Sequence, residues 1–140
     1  MPVSLGDENR VAIPHSVLGK IADLTQNQSE HVQTQLLAIT EADYTPTKLV
    51  YKQYGDLKVF RCGDEMRLFG VILENLTYLS EFDHLVIVLD VSEHEYTRAG
   101  VKKQQARRLQ GTYSSIESAE TFYDELDGEL LDASDVRRLL

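Results

Sequence analysis

The chain has one cysteine, no tryptophan, three prolines and two methionines in 140 residues. A single thiol, Cys62, excludes an internal disulfide and cannot build a thiolate metal site. The four histidines, His15, His31, His84 and His94, are too scattered to suggest an imidazole-based one. No apolar run approaches the ~20 residues needed to span a bilayer. The opening MPVSLGDENR has neither the basic stretch nor the apolar core of a secretory signal. Nothing repeats at a fixed period. These absences predict a soluble, cytoplasmic protein with no metal and no small-molecule cofactor.

Positive charge is also scarce. Lys and Arg number 14 against 23 Asp and Glu, which gives a net charge of −9 and a pI near 4.8. An acidic surface repels phosphate and weighs against a nucleic-acid partner. The same surplus with few lysines also fits a chain from a halophilic archaeon or similar salt-adapted organism. In molar salt the Debye length falls to about 3 Å, so only cations in direct contact count. Such salt also weakens phosphate binding by removing the gain from counterion release.

With 42% hydrophobic and 26% charged residues, the composition is that of a globular chain with one modest core. Asn9–Ile13 alternates as a short first strand, which Pro14 ends by removing a backbone donor. Val17, Leu18, Ile21 and Leu24 then follow helical spacing to about Thr25. Asn27-Gln28-Ser29 reads as a turn, with Ser29 capping a second helix through Val32, Leu36, Leu37 and Ile39. Thr45-Pro46-Thr47 breaks that helix and leads into an extended edge segment, Lys48–Tyr54. Leu57–Arg61, Glu65–Leu73 and Leu85–Val91 follow as strands, the first two joined at Cys62-Gly63-Asp64. The predicted order β-α-α-β-β-β is an α+β fold with a helical hairpin packed on an antiparallel sheet.

Charge then separates along the chain. Arg98, Lys102, Lys103, Arg107 and Arg108 form a basic helix without an acidic residue, and Gly111-Thr112 is expected to end it. Beyond lies an acidic stretch in which Phe122, Leu126 and Leu130 recur every four residues, as in an amphipathic helix. The expected organisation is a domain over residues 1–110 and an acidic C-terminal extension over 111–140, less firmly attached.

Within the central hairpin, LKVFRCGDEMRLFGV, cations replace the neutral residues expected of a strand: Lys58, Arg61 and Arg67. His94 and Tyr96 follow the next strand directly. The hairpin resembles that of the RelE/ParE toxin superfamily over Leu57–Val71, and more loosely over Asn9–Arg98. The resemblance implies a RelE-like fold and a ribosome-dependent mRNA endoribonuclease that inhibits translation, with ribosome and mRNA as partners and a cognate antitoxin to neutralise it. By position, Arg67 matches the arginine that contacts the scissile phosphate, and Lys58 a lysine that helps deprotonate the 2′-OH. Arg61 matches a second cation, while His94 and Tyr96 match residues for leaving-group protonation and base stacking.

These roles are chemically coherent. Cleavage by a 2′-OH needs a base, a proton donor and cations for the charge growing on phosphorus. Lys58 serves as base if Arg61 and Arg67 lower its pKa, and His94 titrates in the range a donor needs. Arg98, Lys102, Lys103, Arg107 and Arg108 would hold RNA phosphates. Two positions depart from the family pattern: Phe60 stands where some members carry a second lysine, and Met66 where an aromatic precedes the arginine. They motivate the alternative, a RelE-fold protein that binds the ribosome or another partner and silences translation without cleavage. A ParE-like role directed at a topoisomerase is a third reading, since one fold serves several functions.

Overall fold

The computed structural model describes residues 9–42, 44–74, 83–93, 99–113 and 127–139. Strand β1 (Asn9–Pro14) ends where Pro14 caps helix α1 (His15–Ala22), which buries Val17 and Ile21. Helix α2 (Gln26–Glu41) opens on Thr25, not on Ser29 as expected. The Thr25 hydroxyl accepts from the Gln28 amide at 3.2 Å, and the Gln28 side chain accepts from the Thr25 amide at 3.1 Å. This reciprocal capping box satisfies two of the helix's orphan donors. Ser29 lies one turn further on and is buried. Val32, Leu36 and Ile39 form the inward stripe of α2.

After a short 3-10 turn (Pro46–Leu49), which takes the first two residues of the extended segment expected over Lys48–Tyr54, come β2 (Lys52–Tyr54), β3 (Leu57–Cys62), β4 (Met66–Leu73) and β5 (His84–Ser92). Gly63, in the turn between β3 and β4, has φ +69 and lies so close to His31 that a Cβ would come within 2.8 Å of the ring. Glycine alone meets both demands without strain.

The sheet is mixed, in the order β2-β3-β4-β5-β1-β6. The expectation of a purely antiparallel sheet is corrected at β1, which runs parallel to β5 with Val11 opposite Val86. Parallel pairing needs a long crossover, and the two helices between β1 and the rest of the sheet provide part of one. Helix α3 (Ala99–Tyr113) packs on the second face over β2, β3 and β4, and β5 is buried on both of its faces. That enclosure is why LVIVL reads as an unbroken apolar run instead of alternating. One core cluster joins Val17, Leu36, Phe60, Leu68 and Val88 on the α1–α2 side. The other joins Leu57, Val59, Phe69, Val71 and Ala106 on the α3 side.

The acidic extension contributes to this body. Residues 128–131 form β6 (Gly128–Leu131), antiparallel to β1, and residues 133–137 form α4 (Ala133–Arg137). Leu130 therefore sits on a strand and not on the amphipathic helix expected through Phe122 and Leu126, which lie outside the described residues. Gly128 permits the approach: a Cβ there would sit 2.2 Å from the Ile13 carbonyl oxygen. Val136 is fully buried, the Gln33 amide donates to its carbonyl at 3.0 Å, and Arg137 pairs with Glu41 at 3.0 Å. Gly111 does not end the basic helix, which runs on through residue 113. The boundary expected at 110/111 thus falls inside α3.

Buried Asn9 ties the layers together. Its Nδ2 donates to the carbonyls of Ile39, Ala42 and Tyr44 at 2.9, 3.2 and 2.9 Å, satisfying orphan acceptors at the end of α2. Its Oδ1 faces His84 Nδ1 at 2.8 Å. Because Oδ1 can only accept, the His84 proton resides on Nδ1.

Candidate nucleic-acid interface

Strand alternation divides the hairpin cations. On β3, Val59 belongs to the α3-side core while Phe60 and Cys62 belong to the α1–α2 side. Arg61 therefore faces α3, and Lys58 faces the opposite way. On β4, Met66 and Leu68 pack on the α1–α2 side, so Arg67 between them faces α3. Arg61 and Arg67 are direct cross-strand partners, whereas Lys58 pairs with Gly70.

Lys58 is removed from the arginines along the strand as well. Its Nζ donates to Gln53 Oε1 at 3.1 Å and to the Gly55 carbonyl at 3.4 Å. Glu74, at the same end of the sheet, accepts hydroxyl bonds from Thr45 and Thr47, each 2.7 Å, and these hold its carboxyl below the usual range. His84 and Lys58 add weaker electrostatic contributions in the same direction. The expectation that Arg61 and Arg67 tune Lys58 as a base is thereby corrected: its neighbours are an amide, a carbonyl and a carboxylate.

The arginine pair is organised around a residue the sequence did not single out. Tyr51 is 46% exposed, with the Arg67 guanidinium 5.2 Å and the Arg61 guanidinium 5.6 Å from the centre of its ring. Lys52 Nζ lies 5.6 Å from the same centre. Both Tyr51 and Lys52 oppose Val59: Lys52 is its register partner, while the Tyr51 amide donates to its carbonyl at 2.8 Å. Tyr51, just before β2, thus shares the face of the two arginines with Lys52. An exposed aromatic beside a lysine is the only signal of this that the sequence carries.

Arg67 spends one nitrogen on the turn. Its Nη1 donates to the carbonyls of Gly63, Asp64 and Met66 at 3.4, 3.3 and 2.8 Å. Its Nε is buried and meets no acceptor among the described residues, nor does Arg67 form an ion pair there. Arg61 donates through Nε to the Gly63 carbonyl at 3.2 Å and pairs with exposed Asp64 at 2.5 Å. Beneath them, burial pushes the Cys62 thiol up to about 12, against a smaller pull downward from Arg67. Cys62 therefore stays a neutral thiol and is not a nucleophile at neutral pH.

The helix cations are similarly divided. Lys103 lies over the β2–β3 turn, close enough that a Cβ on Gly55 would meet its Cε at 2.6 Å. Arg107, one turn along, reaches Asp56 at 3.8 Å. Arg108 instead lines an open cavity of about 310 Å³ with Val101, Gln104 and Gln105. Lys102 is half-buried on the side nearer Ala106. His94, Tyr96 and Arg98 lie outside the described residues; Ser92, two positions before His94, is the β5 partner of Arg67.

Comparison with protein families, with curated proteins and with solved structures finds no match. Two guanidiniums, an ammonium and an exposed phenol ring on one face can hold phosphate oxygens and stack an unpaired base. Among the described residues no group of three His, Cys, Asp or Glu side chains could hold a metal ion. No described helix is long and apolar enough to cross a membrane.

Proposed function

We propose that this chain is a RelE-like protein that binds RNA at the ribosome and silences translation without cutting the message. The observation that carries the reading is the separation of Lys58 from Arg61 and Arg67 by the thickness of the sheet. A phosphate held on the α3 face by Arg61, Arg67 and Lys52 is beyond the reach of Lys58, so the base that 2′-OH attack requires is missing from that group. Binding chemistry survives the separation, because guanidiniums and an exposed ring need no proton acceptor. The described elements up to Ser92 run β-α-α-β-β-β-β, the expected β-α-α-β-β-β order with one short edge strand, β2, added.

The test is co-sedimentation with ribosomes in high salt, followed by mapping of mRNA 5′ ends. The protein should travel with ribosomes and inhibit translation while the ends stay unchanged. Arg67→Ala should release it, and Lys58→Ala should not. New ends that appear with the parental chain and vanish with Lys58→Ala would return the chain to the endoribonucleases. Failure to sediment under any salt condition would remove the ribosome from the proposal.

A further inference from the structure

The cations of the hairpin and those of α3 meet along one margin of the molecule, the outer edge made by β2. Arg61 and Arg67 lie toward one end of this edge, with Tyr51 and Lys52 beside them. Lys52 is opposite Val59, midway along β3. Lys103 and Arg107 stand over the Gly55-Asp56 turn at the other end. From Arg61 back to Leu57 is four strand positions, or ~13 Å at the usual rise, with the Gly55-Asp56 turn beyond. Five cations and an exposed ring thus follow one line on a chain whose net charge is −9. Asp64 and Asp56 each pair with one of its arginines, Arg61 and Arg107.

We infer that this margin is a track for an extended single strand of RNA, about three or four nucleotides long, running from the arginine pair across Lys52 to Lys103 and Arg107. The inference rests on the RNA-binding reading above and adds to it the form and length of the occupant. Three features select an extended strand. The charges lie in a row and not around a closed pocket, so they match successive phosphates. Tyr51 is inside the row, so a base beside a bound phosphate has a ring to stack on, which paired bases cannot reach. The row also follows the short edge strand β2, which no further strand covers among the described residues, and α3 packs beside it with Lys103 and Arg107 over its turn. The helix therefore joins the site through Lys103 and Arg107, while Arg108 and Lys102 belong to other sides of it.

The full-length chain, fluorescence anisotropy and a labelled twelve-nucleotide oligouridine provide the test. Binding should weaken with salt at a slope of about −2.5, from three or four phosphates at about −0.7 each on single strands. The dinucleotide UpU should bind at least tenfold more weakly than the twelve-mer, and a duplex of equal length should compete poorly. The double variant Lys103→Gln, Arg107→Gln should lower twelve-mer affinity roughly tenfold and flatten the slope to about −1.5, with UpU binding and thermal stability unchanged. Arg107 is exposed, Lys103 is half-buried, and neither belongs to a core cluster, so the variant retains the fold. A double variant that binds the twelve-mer with parental affinity and slope overturns the track. So does a dinucleotide that binds as tightly as the twelve-mer. Arg67→Gln separates the two levels of inference: if it too leaves binding intact, the RNA-binding reading falls; if it abolishes binding while the helix variant is silent, only the track does.

Discussion

Arg61 and Arg67 face each other directly across β3 and β4, with the Tyr51 ring 5.6 and 5.2 Å from their guanidiniums. Like charges in direct cross-strand register destabilise a sheet. Here the turn carbonyls, Asp64 and the aromatic face offset the repulsion. Arg61→Gln removes the repulsion together with an exposed ion pair worth at most about 1 kcal/mol. Urea denaturation should therefore place the variant within ~0.5 kcal/mol of the parent, while RNA affinity falls about tenfold. Loss of stability without loss of affinity would mark Arg61 as a structural residue.

Asp64 holds Arg61 by an ion pair in which its own side chain is 91% exposed. A phosphate must displace or share that carboxylate. Asp64→Asn should raise RNA affinity several-fold at 0.1 M salt, and the difference should fade near 1 M, where the Debye length is about 3 Å. Titrations at the two salt concentrations decide it. Equal affinity at low salt would mean that Asp64 does not compete.

A second ion pair is structural. Asp90 is buried on β5, where Lys20 reaches it at 2.5 Å and the Val91 amide donates to the same oxygen at 2.9 Å. Its other oxygen has no partner among the described residues. Lys20→Met would leave a buried carboxylate without its counter-ion and should cost about 2 kcal/mol, below the range for fully buried pairs because Lys20 is half exposed. Lys20→Met with Asp90→Asn should recover part of that loss. Chemical denaturation of the four proteins of this cycle gives the coupling directly.

Removal of residues 128–140 should destabilise the whole domain, since it uncovers β1 and takes Leu131 and Val136 from the core. Val136→Ala alone should cost about 2 kcal/mol. A truncated chain with the parental melting temperature would show that the segment is dispensable.

The acid limb of stability should carry a contribution from Glu74. Its hydroxyl bonds to Thr45 and Thr47 hold the folded pKa below the ordinary value. A group whose folded pKa is depressed binds its proton more readily when unfolded. Its contribution is therefore complete above the unfolded carboxylate pKa, ~4.3, and is lost as pH falls through the folded one. Glu74→Gln should flatten the fall in stability below about pH 5 and leave the slope near neutrality unchanged. Melting temperatures measured across that interval would detect the change. An acid limb identical to the parent's would assign the loss to other carboxylates.

The sequence by itself determined the local elements and their order. Helical spacing in Val17–Ile21 and Val32–Ile39, the proline after β1 and the glycine turns around β3 all act over a few residues, so they are legible without tertiary knowledge. It also showed the cations of the central hairpin and of the helix after β5. The tertiary structure decided which of these share a face. Period-two alternation, with the whole strand oriented by which core it joins, sends Lys58 to one side and Arg61 and Arg67 to the other. The pairing of β1 with β5, the return of Gly128–Leu131 to the sheet, and Tyr51 beneath two guanidiniums arise between residues far apart in the chain. Such contacts are set by packing of complete layers, and no local pattern encodes them.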